Sequence, residues 1–131
     1  VADYRPRYVS SEKVKKQDGE LSIELERTDD ILAYLGKNKR KDQFLRGFSM
    51  ETENMLENSR RKLQKKNLDM IVANNVKVEG AGFGVDTNVV TIITGEEERS
   101  PGMLSKEETA ARILDQILKM RKGKKVIQKN V

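Results

Sequence analysis

The sequence predicts an α/β domain with a largely parallel sheet. Three observations predict it. Short β-rich segments alternate with helical ones along the chain. The run Asp69-Met-Ile-Val-Ala73 is apolar at consecutive positions, as in a strand buried on both faces. After Ser105, Ala110, Ile113, Leu114, Ile117 and Leu118 repeat at i, i+3, i+4, i+7 and i+8, the stripe of a core-facing helix.

The elements follow in order. Val1–Tyr4 reads as the end of a central strand whose start lies outside the sequence, so the sheet is expected to be incomplete at its N-terminal side. Leu21–Arg27 alternates apolar and charged residues, as a half-exposed strand does. Thr28-Asp29-Asp30 offers capping oxygens and N-terminal acid to a short helix with Ile31, Leu32 and Leu35 inward and Gly36 closing it. Gln43–Ser49 reads as a strand, 52–66 as a helix and Asn88–Thr94, rich in β-branched residues, as a strand. Between the last two strands lies a loop over 76–86 holding Gly80, Gly82 and Gly84, and 95–102 turns. Ser105 and Glu108 form a capping-box signature for the last helix.

The 131 residues suit one domain, expected over 1–120, followed by a basic tail over 121–131. Charged residues make up 36%, against roughly 25% in an average chain. Without Cys there is no disulfide, thiolate nucleophile or zinc–thiolate site; without His there is no Ser-His-Asp triad, imidazole base or His-bound metal. Chemistry must run on carboxylates, lysines, arginines, amides, backbone and a ligand-borne metal. No apolar run approaches the roughly 20 residues that cross a bilayer, and no secretory pattern opens the chain, so a cytoplasmic location without membrane contact is expected. Net charge is 26 − 21 = +5, but Lys119, Arg121, Lys122, Lys124, Lys125 and Lys129 supply +6 of it with no acid among them. The body therefore sums to 5 − 6 = −1.

Two lysine clusters stand out. On the helix over 52–66, Met55, Leu56, Ser59 and Leu63 define a buried face. At 100° per residue, Arg61 and Lys65 point about 175° and 135° away from its centre, whereas Lys62 lies about 75° and Lys66 about 35° from it. These two lysines, one turn apart, either snorkel at a helix end or hold an anion between them. The second cluster, Lys13, Lys15 and Lys16, precedes Gln17-Asp18-Gly19 and is either a solvated loop or a flap over phosphates. Phe48 ends a strand, where ligands of open α/β sheets bind; it is either core or a base-stacking group. The loop Gly82-Phe83-Gly84-Val85-Asp86-Thr87-Asn88 decides nothing by itself. Neither a GxGxxG fingerprint nor a Walker A loop occurs.

An ordered set of segments carries a family resemblance: Val1-Ala-Asp-Tyr-Arg5, Glu12-Lys-Val-Lys-Lys16, Asp29-Asp-Ile-Leu32, Gly47-Phe-Ser-Met-Glu-Thr52, Lys62-Leu-Gln-Lys-Lys-Asn-Leu-Asp69, Val72-Ala-Asn74, Gly82–Asn88 and Ser105-Lys106. Together these resemble phosphopantothenate–cysteine ligase, the synthetase domain of the bacterial bifunctional coenzyme A biosynthesis flavoprotein. The resemblance implies a Rossmann-like three-layer sandwich with a mostly parallel sheet. It implies joining of 4′-phosphopantothenate to cysteine with CTP and a divalent cation, Mg²⁺, through an acyl-cytidylate. Carried over by position, Asp3, Lys13, Phe48, Lys62, Lys66 and the helix start Asp29, Asp30, Ile31 and Leu32 match nucleotide-contacting positions. Asp3 would contact ribose or base, Phe48 would line the base pocket, and Lys13 would close on the triphosphate. Lys62 and Lys66 would hold phosphate oxygens, with Lys13 and Lys66 serving catalysis; no metal ligands are assigned.

The resemblance also implies a homodimer, its interface built in part by arms equivalent to Tyr4–Val9 and Leu21–Arg27. The family's glycine-rich turn, an Asn of the second step and the flavin domain precede the Ala-Asp-Tyr strand, so an adjoining segment or second chain would supply them. No FMN is expected on this segment. The alternative reading is a non-catalytic basic module that binds nucleic acid through its tail and the 60–66 cluster. Few aromatics and no recognisable nucleic-acid motif weaken it.

Overall fold

A computed structural model describes residues 2–15, 22–81 and 84–129. Val1, Lys16, Gln17-Asp18-Gly19, Leu21 and Gly82-Phe83 of the expected segments lie outside the described residues, as do the side chains of the tail from Lys124. The chain forms two compact units, Val1–Ile31 and Leu32–Val131.

In the first unit, β1 (Tyr4–Pro6) pairs antiparallel with β2 (Leu25–Arg27), Arg5 opposite Glu26. The Arg5 Nε donates to Glu26 at 2.7 Å, which holds the guanidinium proton above its ordinary range. Arg27 lies 5.8 Å from the Tyr4 ring centroid. Thr28, expected to cap a helix, instead closes the ribbon: its hydroxyl donates to the Ala2 carbonyl at 2.6 Å and its N–H to the Asp3 carbonyl at 3.0 Å. Of the segment expected to end a central strand, Ala2, Asp3 and Tyr4 are described; all three are exposed and only Tyr4 joins a strand, the ribbon strand β1. The ribbon's narrow, charged strands have too little apolar surface for burial on two faces.

The second unit is an α/β layer structure, as expected. Its sheet runs β3 (Arg46–Glu51), β4 (Met70–Asn75), β5 (Thr87–Thr94), β6 (Glu98–Arg99), with β7 (Met103–Ser105) also on β5. The parallel expectation holds for β3 and β4, with Phe48 beside Val72, but β5 runs antiparallel to β4, β6 and β7. The reason is connection type. A helix, α2 (Met55–Lys65), carries the chain back between β3 and β4, whereas no helix lies among the described residues between β4 and β5, and a tight turn links β5 to β6.

Side-chain alternation sorts the core into two layers. Ile71, Ala73 and Ile93 join Leu63 and Leu68 on the face covered by α2, with Leu32 of α1 (Ile31–Asn38) packed against them. Met70, Val72, Val90 and Ile92 join Ile113 of α3 (Lys106–Lys129) on the other face. Helices on both faces give the expected three layers.

Several boundaries shift. Gly36 does not end α1; it is buried inside it, because a Cβ there would sit 1.8 Å from the Lys66 carbonyl oxygen. Of the three residues expected inward on α1, Leu32 packs while Ile31 and Leu35 are exposed. On α3, Ile113 and Ile117 face the sheet but Leu114 and Leu118 do not, each 56% exposed. The stripe that reaches the sheet is narrower and includes the buried polar Thr109 and Gln116. The capping box closes as expected: the Ser105 N–H donates to Glu108 Oε2 at 3.0 Å, and the Glu108 N–H to Ser105 Oγ at 3.1 Å. That contact also holds the Glu108 carboxyl below its ordinary range.

Candidate functional site

Strand β3, helix α2 and the start of β4 form one unit of chain reversal, and each joint is pinned by named residues. On β3, Gly47, Ser49 and Glu51 point toward α2, and Arg46, Phe48 and Met50 point the other way. Ser49 and Ser59 are both buried and share a hydroxyl–hydroxyl bond of 2.7 Å. Two small polar side chains let the helix approach the strand closely without leaving an orphaned group. One turn further along α2, Lys62 Nζ meets Glu51 Oε1 at 2.5 Å, and Asn58 Nδ2 approaches the other carboxylate oxygen at 3.5 Å while donating to the Glu53 carbonyl at 3.1 Å. The Glu51 side chain is 17% exposed and that of Lys62 44%. The ammonium group therefore stands at the carboxyl end of β3, with one side on protein and the other open.

Helix α2 ends in a Schellman motif. The Leu68 N–H reaches the Leu63 carbonyl at 2.9 Å, the Asn67 N–H reaches Gln64 at 3.1 Å, and Asn67 takes the left-handed conformation at φ 51°. Leu63 and Leu68 meet in the core, the apolar contact that accompanies this motif. Lys66 sits at the cap, half-buried, its carbonyl pressed against Gly36 and its neighbour Asn67 donating to the Gly36 carbonyl at 2.9 Å. The wheel estimate for the two lysines holds: Lys62 and Lys66 are half-buried while Arg61 and Lys65 are exposed.

The expected site residues fall as follows. Leu32, Phe48, Lys62 and Lys66 belong to the second unit. Leu32 lies over β3, where a Cβ at Gly47 would be 3.1 Å from its Cδ2. Phe48 is 63% exposed and its ring carries the Arg46 guanidinium 5.1 Å from its centroid. It lies on the face of β3 opposite Lys62. A nucleotide touching both must pass around the strand, over its outer edge or its carboxyl end. Asp3, Lys13, Asp29, Asp30 and Ile31 belong to the first unit. There the Asp3 carbonyl bonds Thr28, the residue before Asp29, and Lys13 is exposed beyond a small turn in which Ser10 Oγ donates to the Glu12 carbonyl at 2.8 Å.

Two groups escaped the reading of the sequence. Glu51 holds Lys62 and Asn58 reaches the same carboxylate, and their signal was available: Glu51 shares the strand parity of Ser49, and Asn58 lies one turn before Lys62 on the helix. Among the described residues no cluster of three or more acidic side chains is placed to hold a metal, and no helix is long and apolar enough to cross a membrane.

Residues 1–120 match the family model described as the DNA/pantothenate metabolism flavoprotein C-terminal domain. The chain belongs to this family. It is 48% identical over 123 residues to the coenzyme A biosynthesis bifunctional protein CoaBC of Bacillus subtilis (strain 168), covering 93% of this chain and 30% of that protein. It is 47% identical over 119 residues to a cysteine/cysteine sulfinic acid decarboxylase of an unknown prokaryotic organism, covering 90% of this chain and 33% of that protein. The crystal structure of the C-terminal domain of a CoaBC protein superimposes with a TM-score of 0.72 at 41% identity, covering 94% of this chain and 52% of the other. The chain thus spans about a third of these curated relatives. The likeness to the CoaBC domain supports the three-layer α/β fold.

Proposed function

We propose that this domain is the C-terminal part of a phosphopantothenate–cysteine ligase that uses CTP. The single observation that carries the reading is Lys62, an ammonium group held on protein at the carboxyl end of β3 and open on its other side, with Lys66 one turn further along the helix. The bifunctional coenzyme A biosynthesis relatives supply the substrate class.

The proposed reaction has two displacements. A carboxylate oxygen of 4′-phosphopantothenate attacks the α-phosphorus of CTP; the P–O bond to pyrophosphate breaks and an acyl-cytidylate forms. The cysteine amine then attacks the acyl carbon, CMP leaves with the mixed-anhydride oxygen, and the amine proton passes to solvent. A carboxylate is already ionised at neutral pH and needs no imidazole base. What the displacement requires is alignment and positive charge around phosphate oxygens. In this reading Lys62 and Lys66 bind those oxygens, and Lys13 is a further lysine for the triphosphate. The Asp29–Leu32 segment, Asp3 and Phe48 place the nucleoside. Mg²⁺ would travel on the phosphates of the nucleotide, and no ligand for it is assigned to a side chain of this chain. The ribbon strands would serve a homodimer; a monomeric mass in sedimentation at micromolar concentration would count against that pairing.

Calorimetric titration with CTP and with ATP, each with Mg²⁺, tests the proposal. The expected result is saturable CTP binding that exceeds ATP binding and drops at least about tenfold, or 1.4 kcal/mol, in Lys62→Ala and in Lys66→Ala. Equal CTP affinity in wild type and both variants would remove the phosphate clamp.

A further inference from the structure

We infer that Glu51 is a positioning residue: it orders the Lys62 ammonium so that its remaining N–H groups face the incoming phosphate. The inference rests on the phosphate role proposed above for Lys62. Glu51 is the last residue of β3, mostly buried, and its two oxygens are taken by Lys62 Nζ at 2.5 Å and by Asn58 Nδ2 at 3.5 Å. Asn58 is itself anchored to the Glu53 carbonyl at 3.1 Å, and the buried Ser49–Ser59 bond locks the helix to the strand just beneath. The carboxylate is thus fixed by backbone and helix before any ligand arrives. An ammonium group has three donors. One goes to Glu51 here, which leaves two for phosphate oxygens. A free lysine side chain gives up rotamer freedom when it is fixed on a ligand. Holding it in place beforehand removes part of that cost from ligand binding.

The opposite expectation is the simple electrostatic one. A carboxylate beside an anion site repels the anion and competes for the lysine, so its removal should tighten binding. The two accounts differ in sign, which makes them separable.

Inorganic tripolyphosphate is the probe, titrated calorimetrically at low and moderate salt into the full 131-residue chain and its variants. Lys62→Ala should weaken binding about tenfold. Glu51→Gln should weaken it about fivefold although it removes a negative charge, and Glu51→Asp should fall between Gln and wild type. In the Lys62→Ala background, Glu51→Gln should no longer weaken binding and should tighten it slightly, because only repulsion is left to remove. Should Glu51→Gln fail to fold, Asn58→Ala removes the second anchor of the same carboxylate and reads the same contact. Tighter or unchanged binding in Glu51→Gln, with Lys62→Ala still weakened, overturns the positioning role and leaves the phosphate role of Lys62 standing. No difference between wild type and Lys62→Ala overturns both.

Discussion

Two lysine–carboxylate pairs stand at opposite ends of the β3–β4 pair, about 20 Å apart along the strands, and they are built for different ends. At the amino end, Lys39 Nζ meets Asp69 Oδ2 at 2.9 Å and the Asn67 carbonyl at 2.8 Å, while the Leu45 N–H donates to the same Asp69 oxygen at 2.7 Å. Both side chains are about nine-tenths buried. At the carboxyl end, Lys62 meets Glu51 with nearly half of the lysine side chain in solvent. The first pair is closed on all sides by chain that connects α1, β3, α2 and β4, so it fixes the fold. The second is closed on the carboxylate side and open on the lysine side, so it can meet a ligand. Contact distance alone does not separate the two; enclosure does.

The comparison can be broken by mutation, from the largest expected effect down. Asp69→Ala leaves a buried ammonium without its carboxylate and should cost about 3–5 kcal/mol in a denaturant titration; a cost near that of a surface substitution would erase the contrast. Gly36→Ala drives a methyl into the Lys66 carbonyl and should cost about 1–3 kcal/mol as α1 and the α2 cap are forced apart. Lys62→Ala should cost less, about 1–2 kcal/mol, because the Glu51 carboxylate it leaves behind is only partly enclosed and gains access to water, with its larger loss seen in phosphate binding.

Acid sharpens the comparison at a third location. Glu108 is held below its ordinary value of 4.5 by the Ser105 backbone and hydroxyl, and Glu97 by Gln116, then Arg99. A lowered carboxyl contributes stability above its unfolded value and loses it as pH falls through the folded one. Stability should therefore decline below about pH 4.5, and Glu108→Gln should flatten that decline in an acid titration followed by circular dichroism. Ser105→Ala, which removes only the cap, should cost about 1 kcal/mol at neutral pH.

What could be read from the sequence was local. The Ser105–Glu108 box is complete within four residues, and the structure closes it as written. The placement of Lys62 and Lys66 followed from helical angles within one segment. What could not be read was set by partners far along the chain. Gly36 looks like a helix stop, but its missing side chain is required by Lys66, thirty residues later. The Lys39–Asp69 pair spans the same separation. The sheet direction is not legible because alternation of element types suggests crossovers, whereas β5 returns antiparallel to β4. Phe48 reads as a strand end but stands third of six in β3, and its face depends on which neighbours cover that strand.

The edge of the sheet bears on how this domain tolerates insertions and deletions. Ile92 and Ile93 oppose Arg99 and Glu98, yet Val89, Asn88 and Thr87 oppose Met103, Leu104 and Ser105, so Val90 and Thr91 face the three residues Ser100, Pro101 and Gly102. That extra residue, with Gly102 at φ 88°, is a bulge that sets the phase of everything after it. Deleting one of the three would shift Ser105 by a position, swap the faces of β7 and misalign the hydroxyl that starts α3. A frame error of one residue at a surface turn would thus be felt as the loss of a helix start a few residues further on.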